Sequence, residues 1–152
     1  MLFKTHLVLG FLVLLVFLPF VNYDIIFGVV VLISTMLPDL DSMRSHIGNH
    51  WYLRPFQWAT KHRGVLHSFS FCAIVSIVFA FIIPVLAFPF FVGYGIHLVA
   101  DMFTSEGIRP FWPLKEEIEG KVLTGGRVEK GIFYGVILAD ILLLVRLFMS
   151  RT

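Results

Sequence analysis

Long apolar runs whose polar residues gather at their ends constrain this chain more than any other feature. Five such segments lie at about 3–20, 24–37, 65–83, 85–103 and 131–149. The chain is 58% hydrophobic and only 14% charged, where soluble domains carry about 25% charged residues. It cannot build a polar shell around so much apolar surface, which places it in a membrane. There, every backbone N–H and C=O must be paired internally, and long continuous apolar runs do so as helices. The expected architecture is all-α: a multi-pass transmembrane bundle of four to five helices with interfacial loops, forming one integral membrane domain over residues 1–152.

The first segment imitates a signal peptide, with Lys4 followed by an apolar run. Leu18-Pro19-Phe20-Val21-Asn22 lacks the small residues of a cleavage site, so an uncleaved first transmembrane helix is expected. The second segment, at about 14 residues, rises only ~21 Å against a hydrocarbon core of ~30 Å. Extension beyond its apolar part, or local thinning of the bilayer, would make up the difference. The fifth segment either spans or lies in the interface. Cys72 has no partner for a disulfide and reads as a small buried side chain. A net charge of +2 gives no reason to expect nucleic acid as a partner.

The placement of basic residues sets the orientation. The connections at 22–24 and 84–89 contain no Lys or Arg. Lys4, Arg44, Arg54, Lys61, Arg63, Arg109, Lys115, Lys121, Arg127 and Lys130, ten of the twelve, fall on the other side, which the positive-inside rule makes cytoplasmic. Arg146 and Arg151 run against it. A single kinked helix over 69–92 is the rival topology, but Pro84 and Pro89 argue for a turn. Trp51, Tyr52, Phe56 and Trp58 suit a loop lying on the bilayer, as does the Phe111-Trp112-Pro113-Leu114 stretch. Residues 121–128 alternate around Gly125-Gly126, a weak hairpin signal.

The polar ends carry candidate ligands. His97 and Asp101, at i and i+4, project from one helix face and can share a metal ion; a plain hydrogen bond between them is the simpler reading. Asp39 and Asp41 follow Pro38 where the second helix ends. Carboxylates suit a turn, but a helix C-terminus already carries partial negative charge, so a cation there would favour them. His62 and His67 bracket Gly64 at the start of the third helix, and Arg63 offers a planar fork for a phosphate or a headgroup. Ser68 is a candidate helix cap. His6, one turn into the first helix, reads as interfacial when taken alone, as do His46 and His50. Asp140 lies midway along the fifth segment, where it could pair with Arg146.

Taken together these residues say more. His6, Asp39, Asp41, His62, His67, His97 and Asp101 all map to the same side of the membrane. Seven N and O ligands exceed one tetrahedral zinc, leaving room for one or two divalent ions. Zn²⁺ suits the imidazoles best, with Mn²⁺ or Fe²⁺ as alternatives.

His6, Pro38-Asp39-Leu40-Asp41, His62-Arg63-Gly64-Val65-Leu66-His67-Ser68 and His97-Leu98-Val99-Ala100-Asp101 together resemble the YdjM-like family of predicted membrane-bound metal-dependent hydrolases. The similarity extends through Trp112-Pro113-Leu114 and loosens beyond. The same order of His and Asp is distantly similar to zinc-dependent phospholipase C and P1 nuclease, an analogy that leans toward phosphate esters. The reading is a metal-dependent hydrolase at the cytoplasmic interface, acting on a lipid or lipid-linked phosphate. Asp39, Asp41 and Arg63 would be its catalytic groups, and membrane lipids its surroundings. A metal-binding or transport protein without hydrolysis is the alternative, and a purely structural membrane protein the third.

Overall fold

In the computed structural model, residues 1–41 and 64–151 are described. Among them are five α-helices: α1 (Phe3–Phe17), α2 (Asp24–Met36), α3 (Phe69–Ile82), α4 (Pro84–Met102) and α5 (Arg127–Arg151). Phe3–Phe20, Pro84–Met102 and Arg127–Ser150 are each long and apolar enough to cross a membrane. The helical membrane bundle expected from the sequence is therefore present. The candidate aromatic loop at 51–58, with His46 and His50, lies outside the described residues.

α2 and α3 are short, at 13 and 14 residues, and rise only about 20 Å each. Each is lengthened at the same end of the bundle by a 3₁₀ turn, Leu37–Asp41 after α2 and Val65–His67 before α3. The third apolar segment thus begins as a 3₁₀ turn rather than as α-helix. The break falls at Ser68, whose hydroxyl caps α3 by accepting from the Phe71 N–H, the capping role its sequence position allowed.

α3 and α4 are separate helices joined through Ile83, so the single kinked helix does not form. Pro84 occupies the first turn of α4, where a missing N–H is harmless. Pro89 lies inside α4 rather than in a connecting loop. The two helices pack face to face through Cys72, Phe90, Tyr94 and Leu98, with Ile108 closing the cluster. Cys72 is fully buried, as its position in an apolar run suggested.

α5 runs alongside α1 in the same direction. Its first turn meets Leu2 and Thr5 through Glu129, while Leu143 and Leu147 near its other end pack on the Leu14–Leu15 cluster. It is long and apolar enough to span, and it packs along α1. It also starts earlier than its apolar stretch, because the polar turn from Arg127 is already helical. The hairpin signalled at 121–128 does not form. Gly125-Gly126 instead leads directly into α5, and the chain before it makes isolated bridges from Thr104 to Val122 and Ile108 to Ile118.

The centre of the bundle is an unusually close crossing of α2 and α4. A Cβ on Gly93 would lie 2.2 Å from Ser34 Oγ and 2.4 Å from the Val31 carbonyl oxygen. On the other side of α2, a Cβ on Gly10 of α1 would lie 2.7 Å from Thr35 Oγ1. Small residues at membrane helix contacts allow such backbone approach. Gly93→Ala should force α2 and α4 apart and cost about 1–3 kcal/mol. Thermal unfolding in detergent, followed by a thiol-reactive dye on buried Cys72, should show a clear fall in Tm. Gly135→Ala, where nothing lies within 4 Å, should leave Tm unchanged or slightly raised.

Candidate metal centre

Four segments of chain bring their polar side chains to one buried point. α1 supplies His6, the turn after α2 supplies Asp39, the turn before α3 supplies His67, and the last turns of α4 supply His97 and Asp101. All four donors other than Asp39 are at most 2% exposed, and Asp39, at 14%, marks the more open side. Asp101 is central. Its Oδ1 lies 3.3 Å from His6 Nε2, and its Oδ2 lies 3.6 Å from His97 Nε2 and 3.7 Å from His67 Nε2. Asp39 Oδ1 lies 3.9 Å from His97 Nε2. The α-amine of Met1 also reaches Asp101 Oδ1.

Each ligand is held by its element. His97 and Asp101 share a face because α4 is regular there. The His97 Nδ1–H donates to the Thr35 carbonyl oxygen at 2.8 Å. The turn that presents His67 is pinned from two sides: the Tyr94 hydroxyl donates to the Leu66 carbonyl at 2.6 Å, and the Phe69 N–H donates to the Pro110 carbonyl at 2.7 Å. His6 lies flat on His97, with ring centroids 3.8 Å apart and planes 13° from parallel, and His67 meets His97 edge-on.

The donor set fits a metal ion. Bonds of about 2.0–2.1 Å to a tetrahedral ion separate its ligand atoms by about 3.3 Å, close to the 3.3–3.9 Å spacings here. Nδ1 of His6 is buried and makes no hydrogen bond among the described residues, and Nε2 of His6 and of His97 face the Asp101 carboxylate at 3.3 and 3.6 Å without hydrogen-bond geometry. Buried polar atoms left so cost stability unless something binds them.

Of the seven ligands read from the sequence, five converge: His6, Asp39, His67, His97 and Asp101. His6, ambiguous alone, proves to be central. Asp41 closes the turn that carries Asp39, and only its backbone is described. His62 and Arg63 lie outside the described residues. Asp140 is 5% exposed, deep in α5 and apart from this cluster. It makes no ion pair with Arg146 among the described residues, since six helical positions carry the two side chains to different faces.

The sequence reading missed Glu129, a carboxylate only 1% exposed. Its Oε1 accepts from the Leu2 N–H at 2.6 Å and the Thr5 hydroxyl at 2.7 Å, and its Oε2 accepts from the Gly125 N–H at 2.6 Å. It thereby fastens the start of α5 to the start of α1, one turn from His6. An acidic residue in the first turn of a helix was the available signal.

These features define a helical integral membrane protein with a buried histidine–carboxylate cluster at one end of its bundle. The chain belongs to the YdjM inner membrane protein family, whose model matches residues 1–150. It is 30% identical over 115 residues to inner membrane protein YdjM of Escherichia coli (strain K12), an alignment covering 66% of this chain and 58% of that relative. The same figures hold for YdjM of Shigella flexneri. The chain thus spans less than two thirds of the length of these relatives. No solved structure matches it.

Glu129→Ala would leave three donors without their acceptor, of which the Thr5 hydroxyl is buried and carries a cost of about 1–3 kcal/mol. Glu129→Gln keeps one oxygen and should lose less. Unfolding midpoints should therefore fall in the order wild type, Glu129→Gln, Glu129→Ala.

Proposed function

We propose that the protein is a membrane-embedded metal-dependent hydrolase acting at the cytoplasmic face on a phosphate ester, such as a lipid or lipid-linked phosphate. The convergence of five N and O donors from four segments, with buried imidazole nitrogens lacking hydrogen bonds, carries this reading. The family resemblance supplies the reaction type. Orientation rests on the ten basic residues of the N-terminus and the connections at the site end.

Bound in this cluster, a divalent ion would lower the pKa of coordinated water to about 7 and polarise a phosphoryl oxygen. Zn²⁺ suits the three imidazoles best, with Mn²⁺ and Fe²⁺ as alternatives. His6, His67, His97 and Asp101 would hold it. Asp39, on the more open side, would take the proton from the attacking water as general base. Arg63, immediately before Gly64, would offer its fork to the developing negative charge. Asp41 and His62 remain candidates for the same shell.

A substrate that stays in the bilayer suits the surface near the site. Phe111, Trp112 and Leu114 are exposed between Arg109 and Lys115, a mixture that favours the headgroup zone. Asp140 favours transport as a second reading: it is a buried mid-helix carboxylate whose Oδ1 lacks a hydrogen bond among the described residues. Metal flux into proteoliposomes that disappears in Asp140→Asn would establish that reading instead.

Detergent-purified protein should retain a divalent metal and hydrolyse a phosphomonoester or phosphodiester, with activity lost to chelator and restored by Zn²⁺. Asp39→Asn should keep the metal and lose about 10²–10⁴-fold in kcat, the usual worth of a general base. Asp101→Ala should lose the metal. Wild-type protein with no stoichiometric metal, and no hydrolysis of either ester class, would refute the proposal.

A further inference from the structure

We infer that the site takes one ion rather than two, and that the backbone carbonyl of Thr35 selects the His97 nitrogen that holds it. This rests on the metal reading above and carries it further. Among the described residues the donors fall into two sets of three, His6–Asp39–His97 and His67–His97–Asp101, with ligand atoms in each set within 4.8 Å of one another. Each set could hold an ion with all three of its donors only if the shared imidazole served both ions. An imidazole does that by giving one nitrogen to each ion, because its two nitrogens point in different directions.

One of the two nitrogens of His97 is already committed. Nδ1 lies 2.8 Å from the Thr35 carbonyl oxygen. A carbonyl has no proton to give, so Nδ1 carries the proton and donates. The ring's remaining lone pair is on Nε2. That same Nε2 lies 3.6 Å from Asp101 Oδ2 and 3.9 Å from Asp39 Oδ1, so one atom faces both sets. An ion bound through it in one set excludes an ion in the other. An outer partner that fixes a histidine tautomer is the usual way a metal ligand is aimed.

The sequence explains why this carbonyl is available. Thr35 lies in the last turn of α2, where carbonyls run out of helical donors. The chain continues as the 3₁₀ turn Leu37–Asp41, in which a carbonyl normally accepts from the N–H three residues on. Three residues on from Thr35 is Pro38, which has no N–H. The proline of the Pro-Asp-Leu-Asp turn thus leaves the Thr35 oxygen to His97.

Thr35 is itself closely packed. It is fully buried, its hydroxyl donates to the Val31 carbonyl at 2.8 Å, and it packs against Gly10. His6, stacked on His97, blocks the ring from the other side. Stacked rings aim their lone pairs in parallel planes and cannot both address one ion. His6, with no hydrogen bond to either nitrogen among the described residues, is the ring that turns to complete the shell.

The test is a Zn²⁺ titration of detergent-purified wild-type protein, with bound metal counted after desalting and His97 followed by ¹⁵N NMR. We expect one equivalent, a single resonance with ¹¹³Cd²⁺ in place of zinc, and a shift of His97 Nε2 while Nδ1 stays protonated. His97→Gln, checked for folding by the thiol-dye melt, should drop at least tenfold in occupancy. Two equivalents, two cadmium resonances, or metal on Nδ1 would overturn the one-ion inference while leaving the metal reading intact. Zero equivalents in folded wild-type protein would overturn both.

Discussion

Everything at the site depends on how closely α2 is gripped between α1 and α4. Gly93 lets the α4 backbone reach the Val31 carbonyl, and Gly10 lets α1 close on Thr35. In a bilayer, apolar side chains gain little by leaving lipid for one another, so close van der Waals packing does more of the work. The grip also sets the chemistry. With α2 held this near, the Thr35 carbonyl is within hydrogen-bonding distance of a ring on α4, and a ring on α1 lies flat against that same imidazole. Packing and ligand geometry are one arrangement.

The cluster also answers a problem posed by helix length. α2 and α3 are too short to cross a bilayer as α-helix alone. Both are extended at the same end by a 3₁₀ turn, and each turn carries a donor, Asp39 in one and His67 in the other. The longer helices contribute donors from within their own spans. His6 is one turn inside α1, and His97 and Asp101 occupy the last turns of α4. His6 and His97 therefore lie about one turn, or about 5 Å, inside their helix ends, and the turns of α2 and α3 bring Asp39 and His67 to them.

Much of this was legible in the sequence because polar residues in an oily chain are conspicuous. His97 and Asp101 share a face by spacing alone, and the position of His67 and Asp39 at segment ends follows from where apolarity stops. What was not legible depended on backbone rather than on side-chain type. The Thr35 carbonyl has no signature as a ligand-orienting group, since any residue there would offer one. Glu129 went unnoticed, because its three donors come from segments distant in sequence or from the turn before it. The alternation at 121–128 suggested a hairpin, but the Gly-Gly pair introduces a helix whose first turn is polar. The break before α3 was hidden because Val65 and Leu66 continue the apolar run into a 3₁₀ turn.

The division of donors between two kinds of backbone has a mechanical consequence. His97 and Asp101 stand on a long regular helix, which acts as a rigid bar. Asp39 and His67 ride on 3₁₀ turns, whose hydrogen bonds are poorer and which are rarely more than a few residues long. The turn that presents His67 therefore borrows its rigidity from its neighbours, through the Tyr94 hydroxyl that donates to the Leu66 carbonyl and the Pro110 carbonyl that accepts from the Phe69 N–H.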